Sequence, residues 1–227
     1  MATMRLDLQD GIHILTLTNG DGENTFTLDV LNEYLAAFDV IDQFQGNTAL
    51  LIRCEHEKTF STGINLAWLR DQPAEQRPIF LKTMSTVLYR LALLSAPTVV
   101  CLNGNAYAGG AILAAAADFR LMRADRGRFC LPEVNINMTF PPVMLDTVRL
   151  LPNEHALKLM MLTGRAYTGV ECQASNLVDA IYPQEELQAR GFELAQSLGQ
   201  KDRATYTEIR NSLRADMARH GSDLGLN

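Results

Sequence analysis

No lysine- or arginine-rich block occurs anywhere in this sequence, and acidic residues outnumber basic ones by 26 to 20. That balance argues against a nucleic-acid-binding surface, which needs a basic stripe. It leaves room for an anionic small ligand, which needs only a few local cations. Long hydrophobic runs are missing too: the longest, around residues 111–117, falls far short of the roughly 20 residues that span a bilayer. The N-terminal MATMRLDLQDG has no apolar secretory segment, and the C-terminal DLGLN is not a peroxisomal address. The expectation is a cytoplasmic protein with no membrane or nucleic-acid partner. Cysteine is sparse. Cys54, Cys101, Cys130 and Cys172 lie far apart without paired metal-ligand spacing, which reads as reduced, buried thiols. His13, His56, His155 and His220 are equally scattered and read as surface or structural residues, so no metal site is expected.

What is present is the composition of an ordinary globular chain, 47% hydrophobic and 20% charged over 227 residues, enough to bury a sizeable core. MRLDLQDGIHILTLT reads as two strands turning at Asp10-Gly11. Apolar residues at 28, 31, 35, 38 and 41 give a helical period behind Thr27, a plausible cap. TALLIRC and TVVCLNG are buried strands, separated by a long amphipathic helix over 75–95 that ends at Ala96-Pro97. Short strands are expected on either side of an Asp-Arg-Gly turn in FRLMRADRGRFCLPE. Helices follow in PPVMLDTVRLLP, in NEHALKLMMLTG (capped by Asn153, stopped by Gly164) and in TGVECQASN, then a strand, LVDAIYP. Two helices, roughly 185–198 and 202–219, close the chain, the second with an apolar stripe of Tyr206, Ile209, Leu213 and Met217. Alternating strands and helices argue an α/β layered fold with parallel pairing.

Three loops carry candidate chemistry. FSTGINL, residues 60–66, is a small-residue loop after a buried strand, running into a helix. It is either an ordinary turn or a place where free backbone N–H groups meet an oxygen. NAYAGGAILAAAAD, residues 105–118, begins a wholly apolar helix with Gly109 and Gly110. Those glycines either permit tight core packing or present unpaired amides to developing negative charge. In FCLPEVNI, Glu133 follows a proline amid apolar residues. Such surroundings suit a proton carrier; the alternative is a half-exposed loop residue paired with an arginine such as Arg128.

Together and in this order, the three resemble the crotonase (enoyl-CoA hydratase/isomerase) superfamily. FSTGINL is similar to its FSAGADL-type loop, NGNAYAGGAILAAAADFRL to its NGxAxGGGxELAxxCDxRI segment, and RFCLPEVNI to its FxxPExxLG strand end. GENTFTLDVLNEY and LTGRAYTGVECQASNLVDAIYP resemble two flanking pieces, and the likeness runs from about residue 5 to 200. The resemblance implies a crotonase-like spiral of ββα/βαβ turns over residues 1–184, binding acyl-CoA. It also implies a helical segment over 185–227 that assembles a homo-oligomer, trimer or hexamer. Glu133 would be catalytic, and the backbone N–H groups of Ile64 and Gly109 would form an oxyanion hole for the thioester. Ser61, Gly63, Gly110 and Ile112 would line the substrate site. Asn24, Thr25 and Phe26 lie where the family wraps backbone around adenine and pantetheine, and Lys58 where a basic residue faces the phosphates. No separate cofactor is implied, coenzyme A being part of the substrate.

The sequence also departs from the family pattern. Asn65 replaces a common aspartate, the glycine triplet is reduced to Ala108-Gly109-Gly110, and a glycine-rich piece after Glu133 becomes the bulky NMTFPPVM. Ile112 stands where the hydratases carry a second glutamate. Hydration needs one group to activate water and another to orient it or supply a proton, and isoleucine does neither. Moving a double bond from the 3 to the 2 position needs one base and no water. The pattern resembles the Δ3,Δ2-enoyl-CoA isomerases. A hydratase, another crotonase-type enzyme and a silent CoA-binding member are the alternatives.

Overall fold

A computed structural model describes residues 2–226. The chain opens as a hairpin, β1 (Met4–Gln9) and β2 (Ile12–Leu17), turning through Asp10 and Gly11, both at positive φ (49° and 77°). That is the backbone the Asp-Gly pair favours. Helix α1 (Leu28–Gln43) starts at Thr27, whose hydroxyl accepts from the Val30 N–H. Next come β3 (Leu50–Cys54), β4 (Thr59–Ser61), α2 (Leu66–Asp71) and α3 (Gln76–Ala92). The pattern repeats with β5 (Thr98–Leu102), β6 (Asn105–Tyr107) and α4 (Gly109–Ala116). It repeats once more with β7 (Phe119–Arg123), β8 (Phe129–Cys130) and a 3₁₀ turn over Glu133–Ile136. Helices α5 (Pro142–Val148), α6 (Glu154–Thr163) and α7 (Gly169–Ala174) lead to β9 (Ala180–Tyr182) and α8 (Gln184–Gly199). The end of the chain is α9 (Arg203–Leu213), α10 (Ala215–Ala218) and α11 (Gly221–Leu224).

Each of the three repeats places its first strand in one sheet and its second in another. The large sheet runs β1-β2-β3-β5-β7-β9, parallel except for the opening hairpin; the small one runs β4-β6-β8, all parallel. This is the expected spiral.

Alternate residues of the large sheet feed two cores, as the two-residue period of a strand requires. Ile14, Leu51, Val99 and Leu121 pack under α8 with Leu187 and Ala195. Leu15, Ile52, Val100 and Met122 face α1 and α3, joining Phe38, Met84 and Leu88. Burial on both faces accounts for the nearly continuous apolar runs of β3 and β5.

The tail differs from the single helix expected over 202–219. It breaks after Leu213, and its stripe divides: Met217 is fully buried, whereas Ile209 and Leu213 are 59% and 82% exposed. The inward residue of α9 is Arg210, which donates to the carbonyls of Leu94 and Ala96 and pairs with Asp118 at 3.6 Å. Arg214 adds bonds to the carbonyls of Ala92, Ala116 and Ala117. The arginines thus satisfy carbonyls that the ends of α3 and α4 leave without helical donors.

Candidate active site

β4, β6 and β8 lie side by side and run in one direction, so their C-terminal ends open at one edge. Gly63-Ile64 leaves β4, Ala108-Gly109 leaves β6, and Pro132-Glu133 follows β8. Three segments about 45 and 25 residues apart in sequence therefore meet where parallel sheets commonly place ligands. Their meeting point is a cavity of about 160 Å³. Ile64, Gly109, Ile112 and Glu133 all line it, with Leu66, Phe140 and Met144 among the apolar walls.

Close approach of the first two segments depends on glycine. Gly63 has φ of +81°, and a Cβ there would lie 2.8 Å from the Gly109 Cα and collide with its nitrogen. At Gly110 an added Cβ would strike the Ser61 carbonyl, with its carbon at 2.8 Å. Ala108 takes φ 47°, ψ −124°, a conformation that L-residues rarely adopt. It stands where the resemblance calls for glycine, so a Cβ is carried here at a backbone angle that glycine adopts more readily.

Residues 23–26 fix the orientation of Ile64. The Phe26 N–H donates to Gly63 O at 2.8 Å and Phe26 O accepts from the Asn65 N–H at 3.0 Å. In such a parallel bridge the intervening residue directs its own N–H and C=O to the opposite side, so the Ile64 N–H points away from Phe26. Gly109 is the first residue of α4, and the N–H groups of a helix's first turn lack intrahelical acceptors. Among the described residues, neither N–H has a backbone acceptor.

Glu133 is 6% exposed and begins the 3₁₀ turn. Its Oε2 has no hydrogen-bond partner among the described residues, and no ion pair joins it to Arg128. Burial without a countercharge raises its pKa to about 7, opposed only by a weaker backbone hydrogen bond. Its carbonyl accepts from the Asn137 and Met138 N–H groups, and Asn137 adopts the left-handed conformation that ends the turn. The site thus combines one buried carboxyl of raised pKa, two amides without backbone acceptors among the described residues, and an apolar wall.

Other residues singled out in the sequence lie outside the cavity wall. Asn24 and Ser61 are buried beneath it: Asn24 Nδ2 donates to Phe60 O at 2.9 Å, and Ser61 Oγ donates to Asn24 O at 2.8 Å while accepting from the Gly63 N–H. Phe26 is a core residue packed edge-on against Tyr34. Gly63 and Gly110 serve as points of backbone approach. Thr25 lies in a groove that shares Ile64 and Leu66 with the cavity. Lys58 is exposed at the start of β4. Asn65 caps α2, its Oδ1 accepting from the Trp68 N–H at 2.9 Å, so the departure from aspartate preserves the cap. Tyr107, Thr62 and Thr139 line the cavity without having been singled out; nothing in their local sequence distinguishes them.

The enoyl-CoA hydratase/isomerase family model matches residues 7–223. The chain belongs to that family, the crotonase superfamily. It is 31% identical over 218 residues to the peroxisomal enoyl-CoA delta isomerase 2 of Arabidopsis thaliana, covering 92% of this chain and 90% of that protein. Identity is 29% over 222 residues to the enoyl-CoA delta isomerase 3 of the same plant, covering 94% and 93%. Among solved structures, a probable enoyl-CoA hydratase, EchA3, of Mycobacterium tuberculosis superposes with a TM-score of 0.87 at 23% identity, covering 95% of this chain and 90% of that one. These likenesses establish a crotonase fold and an enzyme of the hydratase/isomerase family.

Proposed function

We propose that the protein is an enoyl-CoA isomerase that shifts a double bond from the 3 to the 2 position of an acyl-CoA thioester. The observation that carries this reading is that Glu133 is the single carboxylate among the described residues lining the cavity, to which Ile112 contributes only hydrocarbon. The Glu133 carboxylate removes a proton from C2, and the electrons pass into the thioester to give a dienolate. The N–H groups of Ile64 and Gly109 hold the resulting oxygen charge. The same carboxyl then returns the proton to C4, and the double bond reforms between C2 and C3. A pKa of about 7 suits both halves of this cycle, since the group must accept and release one proton at similar cost. The delta isomerase relatives support the same reading. Coenzyme A enters with the substrate, and no further cofactor is needed.

The test is the ultraviolet absorbance of the conjugated thioester. The protein should raise it with a 3-enoyl-CoA and should form little or no 3-hydroxyacyl-CoA from a 2-enoyl-CoA. Hydration as fast as isomerisation would remove Ile112 as the determinant and make the protein a hydratase.

A further inference from the structure

We propose that this site is built for short acyl chains and that Phe140 and Met144 set the limit. The inference rests on the reading above for where the thioester lies. The cavity measures about 160 Å³, close to the roughly 150 Å³ apolar cavity that accommodates a single benzene ring, six carbons. Ile64, Gly109 and Glu133 line that same volume, so the reacting carbons, C1 to C4, must share it. Room is left for about two more, which gives acyl groups of about four to six carbons.

The wall that Phe140 and Met144 contribute is constrained from its C-terminal side. Phe140 precedes Pro141 and Pro142, and a residue before proline is confined to extended backbone. Pro141 has φ −55°, and Pro142 is the first residue of α5, the helical position proline favours. Met144 follows on that helix and is buried. Helix α5 in turn packs against α3, α4 and α10, with the Thr147 hydroxyl 3.8 Å from the Met217 sulfur of α10. A longer chain would have to displace Met144 on a packed helix and Phe140 on the five-residue connection, residues 137–141, that leads into it. The bulky NMTFPPVM segment, where the family is glycine-rich, acquires a purpose here: it shortens the acyl pocket.

Calorimetric titration of the native protein with butanoyl-, hexanoyl- and decanoyl-CoA tests this without turnover. Each accommodated methylene should tighten binding about fourfold, so hexanoyl should exceed butanoyl by about 15-fold and decanoyl should gain nothing further. Phe140→Ala and Met144→Ala should each tighten decanoyl binding by about tenfold or more relative to hexanoyl. If Met144→Ala does not fold, the partly exposed Phe140 carries the test alone. Decanoyl binding tenfold tighter than hexanoyl in the native protein, variants that leave the ratio unmoved, or affinities independent of chain length would each overturn the proposal. A break at hexanoyl without any double-bond migration would remove the isomerase reading and keep this one. Equal isomerisation of 3-hexenoyl- and 3-decenoyl-CoA would do the reverse.

Discussion

Glu133 illustrates how one residue's burial sets both activity and stability. Its carboxyl titrates near 7 because the apolar wall disfavours the charge and no cation among the described residues offsets it. As a base it must be ionised, so kcat/KM should rise with pH through about 7 and then level off. Stability runs the other way. The native state holds this proton more tightly than the unfolded chain, whose glutamates titrate near 4.5, so stability falls as pH rises between those two values. Glu133→Gln should therefore lose roughly 10²–10⁴-fold in kcat. Above pH 7 the variant should be more stable than the native protein by roughly 1–3 kcal/mol, an advantage that shrinks towards pH 4. Thermal melts at several pH values check the second effect. A variant less stable than the native protein at pH 8 would mean that the ionised carboxylate is well solvated.

At the scale of elements, α4 is placed by what its first residues lack. Gly110 sits against the Ser61 carbonyl and Gly63 against Gly109, so two chain segments touch backbone to backbone. Gly110→Ala should cost about 1–3 kcal/mol through overpacking. Because the collision is with backbone, a side chain cannot swing aside to relieve it. The variant should also lose kcat, since moving α4 separates the Gly109 N–H from that of Ile64. Denaturant unfolding together with the absorbance assay checks both losses. Unchanged kcat would show that the two amides do not act as a pair.

For the whole molecule, the C-terminal helices present one face to the core and another to solvent. Arg203, Arg210 and Arg214 reach inward to main-chain carbonyls at the ends of α1, α3 and α4, while Ile209 and Leu213 point outward. That outward pair is the part of the stripe which the chain's own core does not cover. We propose that it is covered by other copies, making a trimer or a multiple of it. Sedimentation at micromolar concentration should report such an assembly, and Leu213→Glu should shift it towards monomer. A native protein that sediments as a monomer would refute the proposal.

Much of this was legible in the sequence because local patterns carried it. The Asp10-Gly11 hairpin, the Thr27 and Asn153 caps and the Gly164 stop all appear as expected, since each depends on residues within one turn of itself. The likeness of five ordered segments to one family gave the spiral fold. β4 and β6 were not legible: three residues each, they have no periodicity, and only their neighbours make them strands. The tail departs from its expected single helix for a related reason. A helical period cannot say which face turns inward, and here carbonyls without donors draw arginine in while leucine stays out. Glu133 stood out as an acid amid apolar residues, but nothing local decides whether such an acid is buried or paired. That was decided by tertiary structure alone, because three distant strand ends must first be brought side by side before a cavity exists to desolvate it.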